Sequence, residues 1–183
     1  MQYVNELKKL EIEDIRNAAK NANIKRIYLH WSAGHYHQVY EDYHLSIDED
    51  GSVYAPDNDL NFNKLRYHTW HRNTGSIGIS VCGCYGANAL EGWNCNLGDE
   101  GVTNKQIETM AFVVAVICKY ANVPIYDVLT HCEIAMYDGY GPGSGDSETR
   151  WDLWYLRDTD GKMKPGGQVI RGKALWYTNN YVM

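Results

Sequence analysis

Three short apolar runs constrain this chain more than any other feature. Ile27-Tyr28-Leu29 closes at His30, Ile77 to Cys82 lies between Gly75 and Gly83, and Val128-Leu129-Thr130 closes at His131. They lack the apolar-in, polar-out alternation of a surface hairpin, so they read as strands covered on both faces. Their bounds are Lys25 to His30, Ile77 to Cys82 and Asp127 to His131. The cover is legible too. Val4 to Asn21 places Leu7, Leu10, Ile12, Ile15 and Ala18 near helical spacing, which predicts an amphipathic helix. Thr103-Asn104-Lys105-Gln106 matches a capping box, and Ile107, Met110, Ala111, Val114, Ile117 and Cys118 continue it as one helical face. This second helix runs to Ala121 and stops before Pro124, whose ring disfavours helical backbone just ahead of it.

Between these elements Asp42 to Asp48 alternates, and Asp50-Gly51 turns it into Ser52 to Tyr54 as a hairpin. Lys64 to Trp70 predicts a further strand. Tyr85 to Gly101 and the glycine-rich Tyr137 to Ser147 read as loops, and Leu153 to Met183 as an extension that packs on the sheet. The expected fold class is α/β (α+β): a single domain over residues 1–183, with a mixed central β-sheet flanked by helices. A chain of 183 residues, 44% of them hydrophobic, is long enough to bury one proper core.

Several function classes drop out. The net charge is −6 and no Lys/Arg run stands out, which argues against binding along a nucleic-acid backbone. The longest strongly apolar stretch, Met110 to Cys118, is too short for membrane insertion across a bilayer. Met1 to Lys20 alternates charged with apolar residues and does not read as a signal peptide, so the expectation is synthesis in the cytoplasm. The five cysteines lack a paired-motif spacing and read as free, mostly buried thiols, with a Cys84–Cys95 bridge as the alternative. Fifteen Tyr and six Trp against two Phe suit either a wet groove for sugar or peptide or a core and its rim.

The residues that carry chemistry are His30, His131 and Asp152. Two histidines closing buried strands, with a carboxylate from the cluster Glu148-Thr149-Arg150-Trp151-Asp152, would hold Zn2+ and leave a fourth position for water. That is the donor set of a catalytic zinc hydrolase rather than of a closed structural site. Any one of the three alone is more often a core histidine or a helix cap.

Five segments in order resemble the type 2 N-acetylmuramoyl-L-alanine amidase family, the group that includes bacteriophage T7 lysozyme and the peptidoglycan recognition proteins. They are Leu29 to Ala33, Tyr43 to Gly51, Asn73 to Ser80, Thr130-His131 and Arg150-Trp151-Asp152. They span a core of residues 25–155 and leave 156–183 as a C-terminal extension. The stretch from Asp138 to Leu153 is similar to phage and prophage endolysins of Gram-positive bacteria. The resemblance implies a single amidase catalytic domain, with metal ligands at His30, His131 and Asp152 and catalytic donors at Tyr43 and Arg150. It implies peptidoglycan as substrate, cut between N-acetylmuramic acid and L-alanine, and action on the cell wall after release from the cytoplasm.

Three features depart from the family pattern. Many members place the third ligand closer behind the second histidine, which opens Asp138 or Asp146 as alternatives to Asp152. Arg150 stands where lysine is common, and a guanidinium stabilises an oxyanion but gives up no proton at neutral pH. Ser80 stands where some members carry an acidic residue, so the general base is open, with Glu148 as one candidate. His68, Trp31 and Trp70 are expected at the substrate, with Trp93 as a further platform. His44 is expected in the core, pointing away from Tyr43, with His35 and His37 at the rim. The competing readings are a non-catalytic peptidoglycan-binding module and a zinc amidase or peptidase acting on another amide.

Overall fold

The computed structural model describes residues 7–58, 60–87, 95–142, 144 and 150–182. Its elements in chain order begin with β1 (Lys8–Leu10), α1 (Ile12–Lys20), β2 (Arg26–Trp31), β3 (Leu45–Ile47), β4 (Val53–Ala55) and β5 (Ser76–Val81). They continue with α2 (Asn104–Ala121), β6 (Val128–Thr130), α3 (His131–Tyr137), β7 (Tyr155–Arg157), β8 (Met163–Pro165) and α4 (Gly166–Asn180). Six strands form one mixed sheet in the order β1-β4-β3-β5-β2-β6, and β7 and β8 form a separate hairpin. The three apolar runs are the parallel heart of the sheet, since β2 pairs in parallel with both β5 and β6.

The two faces of the sheet are unlike, and register explains why. Successive side chains on a strand point to opposite faces. Ile27, Leu29 and Trp31 of β2, Leu45 and Ile47 of β3, and Ile77, Ile79 and Val81 of β5 share one apolar core with the buried residues of α1, α2 and α4. Each fully buried aliphatic side chain there contributes roughly 1.5–3 kcal/mol. The other parity is polar: His30 pairs with Ser80, Ser80 with Ser46, and Tyr28 with Gly78. A buried face of histidine, serine and glycine is a poor core and a good floor for a site.

Local signals hold the frame. Thr103 and Gln106 form the expected capping box, and the buried Gln106 donates from Nε2 to Ile47 O (3.0 Å) and Cys82 O (2.7 Å). The helix start is thereby tied to the ends of β3 and β5. At the other end Asn122 takes a left-handed conformation (φ 55°) and closes α2. The Asp50-Gly51 turn forms as expected: Gly51 has φ 84°, and β3 and β4 pair antiparallel around it.

Three expectations are corrected. The helix expected from Val4 starts only at Ile12, because Lys8–Leu10 pairs with β4 as an edge strand; residues before 7 lie outside the described ones. The stretch Lys64 to Trp70 is not a strand. Its His68 and Thr69 amides both donate to the Asn73 side chain, and the buried Arg66 is held by Asp57 and the Glu41 carbonyl. His131 does not end a strand but opens α3, which Thr130 caps by accepting from Glu133 N (3.2 Å). All five cysteines are free thiols, so the Cys84–Cys95 bridge is not formed.

The segment from Leu153 packs on α2 and on the β6 edge of the sheet through α4. Arg171 donates to both carboxylate oxygens of Glu133 (2.8 Å each) and to Val128 O (2.9 Å).

Candidate active site

His30, His131 and Asp152 converge on the polar side of the sheet, although 122 residues separate the first from the last. His30 Nδ1 lies 2.9 Å from Asp152 Oδ2, and His131 Nδ1 lies 3.0 Å from Asp152 Oδ1. The two imidazoles meet edge to face with centroids 4.8 Å apart. Four donors held tetrahedrally at zinc distances stand about 3.3 Å from one another. Each nitrogen is close to that spacing from a carboxylate oxygen, and one ligand atom from each of the three residues lies within 4.8 Å of the others, so the group fits a metal ion such as zinc.

The placement of each donor has a local cause. His30 is buried in β2, with Nε2 3.4 Å from Thr69 Oγ1, and the same hydroxyl lies 3.1 Å from His68 Nδ1. One hydroxyl between two rings fixes their orientation from behind, as outer hydrogen bonds do around metal ligands. His131 is set by the cap at Thr130. Asp152 is followed by the fully buried Leu153 in a left-handed conformation (φ 58°), a strained state for a branched side chain. The Asp152 carbonyl also accepts from Cys132 N (3.3 Å), which ties the loop to α3.

Electrostatics follow from burial and pairing. Burial alone would raise the Asp152 pKa, but the charge of His131 and hydrogen bonds from both histidines hold it far below the usual carboxylate range. His30 is pushed down by burial despite its bond to Asp152. For His131 burial pulls the same way, but the Asp152 charge and hydrogen bond outweigh it and the pKa rises.

His131 and Asp152 line one hollow and His131 a second that adjoins it, while His30 is buried behind them. The first, of about 240 Å3, is lined by Asp42, Tyr43, His68, His131, Arg150 and Asp152. The second, of about 610 Å3, shares His68, His131 and Arg150 and extends past Tyr67, Trp70 and Thr74. Tyr43 is buried with its ring 5.2 Å from that of His30, and burial, then the Asp152 charge, push its pKa far up. Its hydroxyl is therefore a committed donor.

The structure brings Tyr43 and Arg150 to the metal-capable group and places Trp70, 53% exposed, on the wall of the larger hollow. Trp31 also lines the smaller hollow but is 6% exposed, with Trp151 packed edge-on against it at 4.8 Å. His68 lies under the site, its ring edge-on to His30 at 5.4 Å. His44 is buried as expected, accepting from Gly78 N (3.0 Å) and facing Lys64 O (2.8 Å). His35 and His37 pair with Glu100 (2.9 Å) and Asp48 (2.7 Å). Asp138 is engaged by Arg72 across two bonds, one of 2.6 Å, rather than joined to the histidines. Asp146, Glu148 and Trp93 lie outside the described residues. Sequence reasoning missed Thr69 and Asp42; only the first had a signal, its place beside His68.

Together these features define a class: a mixed-sheet protein with two imidazoles and a carboxylate convergent at the floor of an open groove. The chain belongs to the N-acetylmuramoyl-L-alanine amidase family, whose model matches residues 15–144. The match takes in His30, Tyr43 and His131 and ends before Arg150 and Asp152. Among solved structures the chain is similar to the endolysin N-acetylmuramoyl-L-alanine amidase LysCS from Clostridium intestinale, at 16% identity and a TM-score of 0.43, over 72% of this chain and 76% of that one. It is also similar to PlyL, at 14% identity and a TM-score of 0.44, over 64% of this chain and 79% of that one. No curated protein matches the chain.

Proposed function

We propose that the chain is a zinc-dependent N-acetylmuramoyl-L-alanine amidase that cuts the amide between N-acetylmuramic acid and L-alanine of peptidoglycan. The observation that carries the reading is the convergence of His30, His131 and Asp152 in a chain of this family. Zinc at these donors would supply a Lewis acid and lower the pKa of a bound water to about 7. The chain's own residues do the rest. His30, His131 and Asp152 would hold the ion. Tyr43 and Arg150 donate to the oxyanion that forms as the carbonyl is attacked, each contribution worth about 3 kcal/mol. Trp70 and Tyr67 flank the larger hollow, where the muropeptide is received. The biological setting that fits is a phage or prophage endolysin, made in the cytoplasm and reaching the wall after release.

The test is release of new L-alanine amino termini from purified peptidoglycan, with chelator and with zinc restored. Release that stops with chelator and returns with zinc is the expected result. Retention on the wall with zinc bound and no release would instead make the chain a recognition module. Release from another amide but not from peptidoglycan would move the substrate.

A further inference from the structure

We propose that Asp42 is the general base of this site, the carboxylate that accepts the proton of the attacking water and returns it to the leaving amine. The inference rests on the amidase reading and deepens it. Hydrolysis of an amide needs a group that takes a proton and later gives one back, and most of the nearby side chains are unsuited. Arg150 keeps its proton. The Tyr43 hydroxyl is held in its neutral, donating form by burial. Both oxygens of Asp152 face the two histidines. Across the ladder from His30 stand Ser80 and then Ser46, hydroxyls rather than carboxylates. Ser80 is fully buried and donates to Val81 O (3.2 Å).

Two independent observations single out Asp42 from Asp152, the other carboxylate that lines the hollow. Asp42 lines the same 240 Å3 hollow as Tyr43, His131, Arg150 and Asp152. Its Oδ2 is buried and has no hydrogen-bond partner among the described residues. An aspartate in a turn usually turns its oxygens to backbone amides or to water. A carboxylate oxygen removed from water without a partner is costly and rare in native proteins, and such groups cluster where chemistry needs them. The turn that carries Asp42 runs directly into Tyr43, so the base and the oxyanion donor enter the hollow from adjacent positions.

The step balances without a co-reactant. The water oxygen bonds to the lactyl carbonyl carbon while one water proton passes to Asp42. Collapse of the tetrahedral species breaks the C–N bond, and protonated Asp42 gives the same proton to the alanine nitrogen. One water is consumed, an acid and an amine are released, and Asp42 ends ionised as it began.

The experiment compares the parent with Asp42→Asn and Asp42→Ala for kcat, KM, zinc content and melting temperature. The expected result for Asp42→Asn is a loss in kcat of about 10²–10⁴-fold with zinc content and melting temperature unchanged. Formate should restore part of the rate of Asp42→Ala, a rescue that a merely structural aspartate would not give; this arm decides the matter if the Asn variant folds poorly. Unchanged kcat in Asp42→Asn, or a loss traceable to zinc content with no formate rescue, overturns the assignment. An inactive parent overturns the amidase reading and this one with it.

Discussion

Gly78 is the position where one methyl group tests how the site is supported. It sits in β5 opposite Tyr28, and a Cβ built there would lie 2.5 Å from Cγ, 2.7 Å from Cδ2 and 2.9 Å from Nδ1 of His68. Relief to ordinary carbon contact requires the ring to move by roughly 1 Å or more. The ring has little room: His30, His44 and Tyr28 stand around it at 5.4, 5.7 and 6.0 Å between centroids, and Thr69 holds its Nδ1 at 3.1 Å. Overpacking of this kind costs about 1–3 kcal/mol, and losing the Thr69 bond adds about 1. Against this, Gly→Ala gains about 0.4–1 kcal/mol by restricting the unfolded chain. Gly78→Ala should therefore lose about 1–3 kcal/mol, and each kcal/mol lowers the melting temperature of a chain this size by about 2–4 °C. Because Thr69 also backs His30, zinc affinity should fall by about 10–100-fold, the usual effect of disturbing an outer shell. Urea denaturation and competition with a zinc indicator measure both quantities. The added change His68→Ala should restore much of the lost stability, giving a coupling of about 1 kcal/mol or more. A Gly78→Ala protein as stable as the parent, or one that His68→Ala does not rescue, would refute the reasoning.

Other expectations follow from the same contacts. Tyr43→Phe should keep its zinc and lose about 10²–10³-fold in kcat, measured by amine release with parallel metal analysis. His44 is buried and its pKa is pushed down to about 4 by burial, against 6.5 when unfolded. Between those values the unfolded chain binds the proton and the folded one does not, so stability is complete above about pH 6.5 and falls by roughly 3 kcal/mol towards pH 4. His44→Gln should flatten the melting temperature over that window, and an unchanged slope would assign the loss elsewhere. The Arg72–Asp138 pair joins the wall carrying Trp70 to the end of α3, and a double-mutant cycle on Arg72→Met and Asp138→Asn should give a coupling of about 1 kcal/mol or less.

The heart of the fold was legible because its signals are local. β2, β5 and β6 are apolar runs, α2 carries its own capping box and stops ahead of Pro124, and Gly51 marks its turn. The three metal-capable residues were legible as members of ordered motifs. What stayed hidden depends on partners distant in sequence. Lys8–Leu10 fits a helical pattern as well as the rest of its segment, and only the edge of β4 makes it a strand. Lys64 to Trp70 alternates like a strand but finds Asn73 and Asp57 in place of a neighbour. α3 was missed despite a signal, since Thr130-His131-Cys132-Glu133 is a capping box at the point where a loop was expected soon after. The polar face of the sheet is a matter of register, which no single strand reveals.

The turn that follows Asp152 is held in place from the C-terminal segment. A left-handed Leu153 costs about 1–3 kcal/mol and persists only where its surroundings over-determine it. Here they do. Leu153 is fully buried, Gly166 donates to Trp154 O (2.8 Å), and the Gly166 backbone crosses so close to the Leu153 carbonyl that no Cβ fits there. Gly167 likewise leaves no room for a Cβ beside the Glu133 carboxylate, which also takes the Thr130 amide (2.9 Å) and Arg171. One carboxylate thus fixes the cap that sets His131, and Gly166 locks the turn that follows Asp152. Asp152 is thus held by residues beyond the family match, and the segment after residue 155 is part of the scaffold of the candidate site.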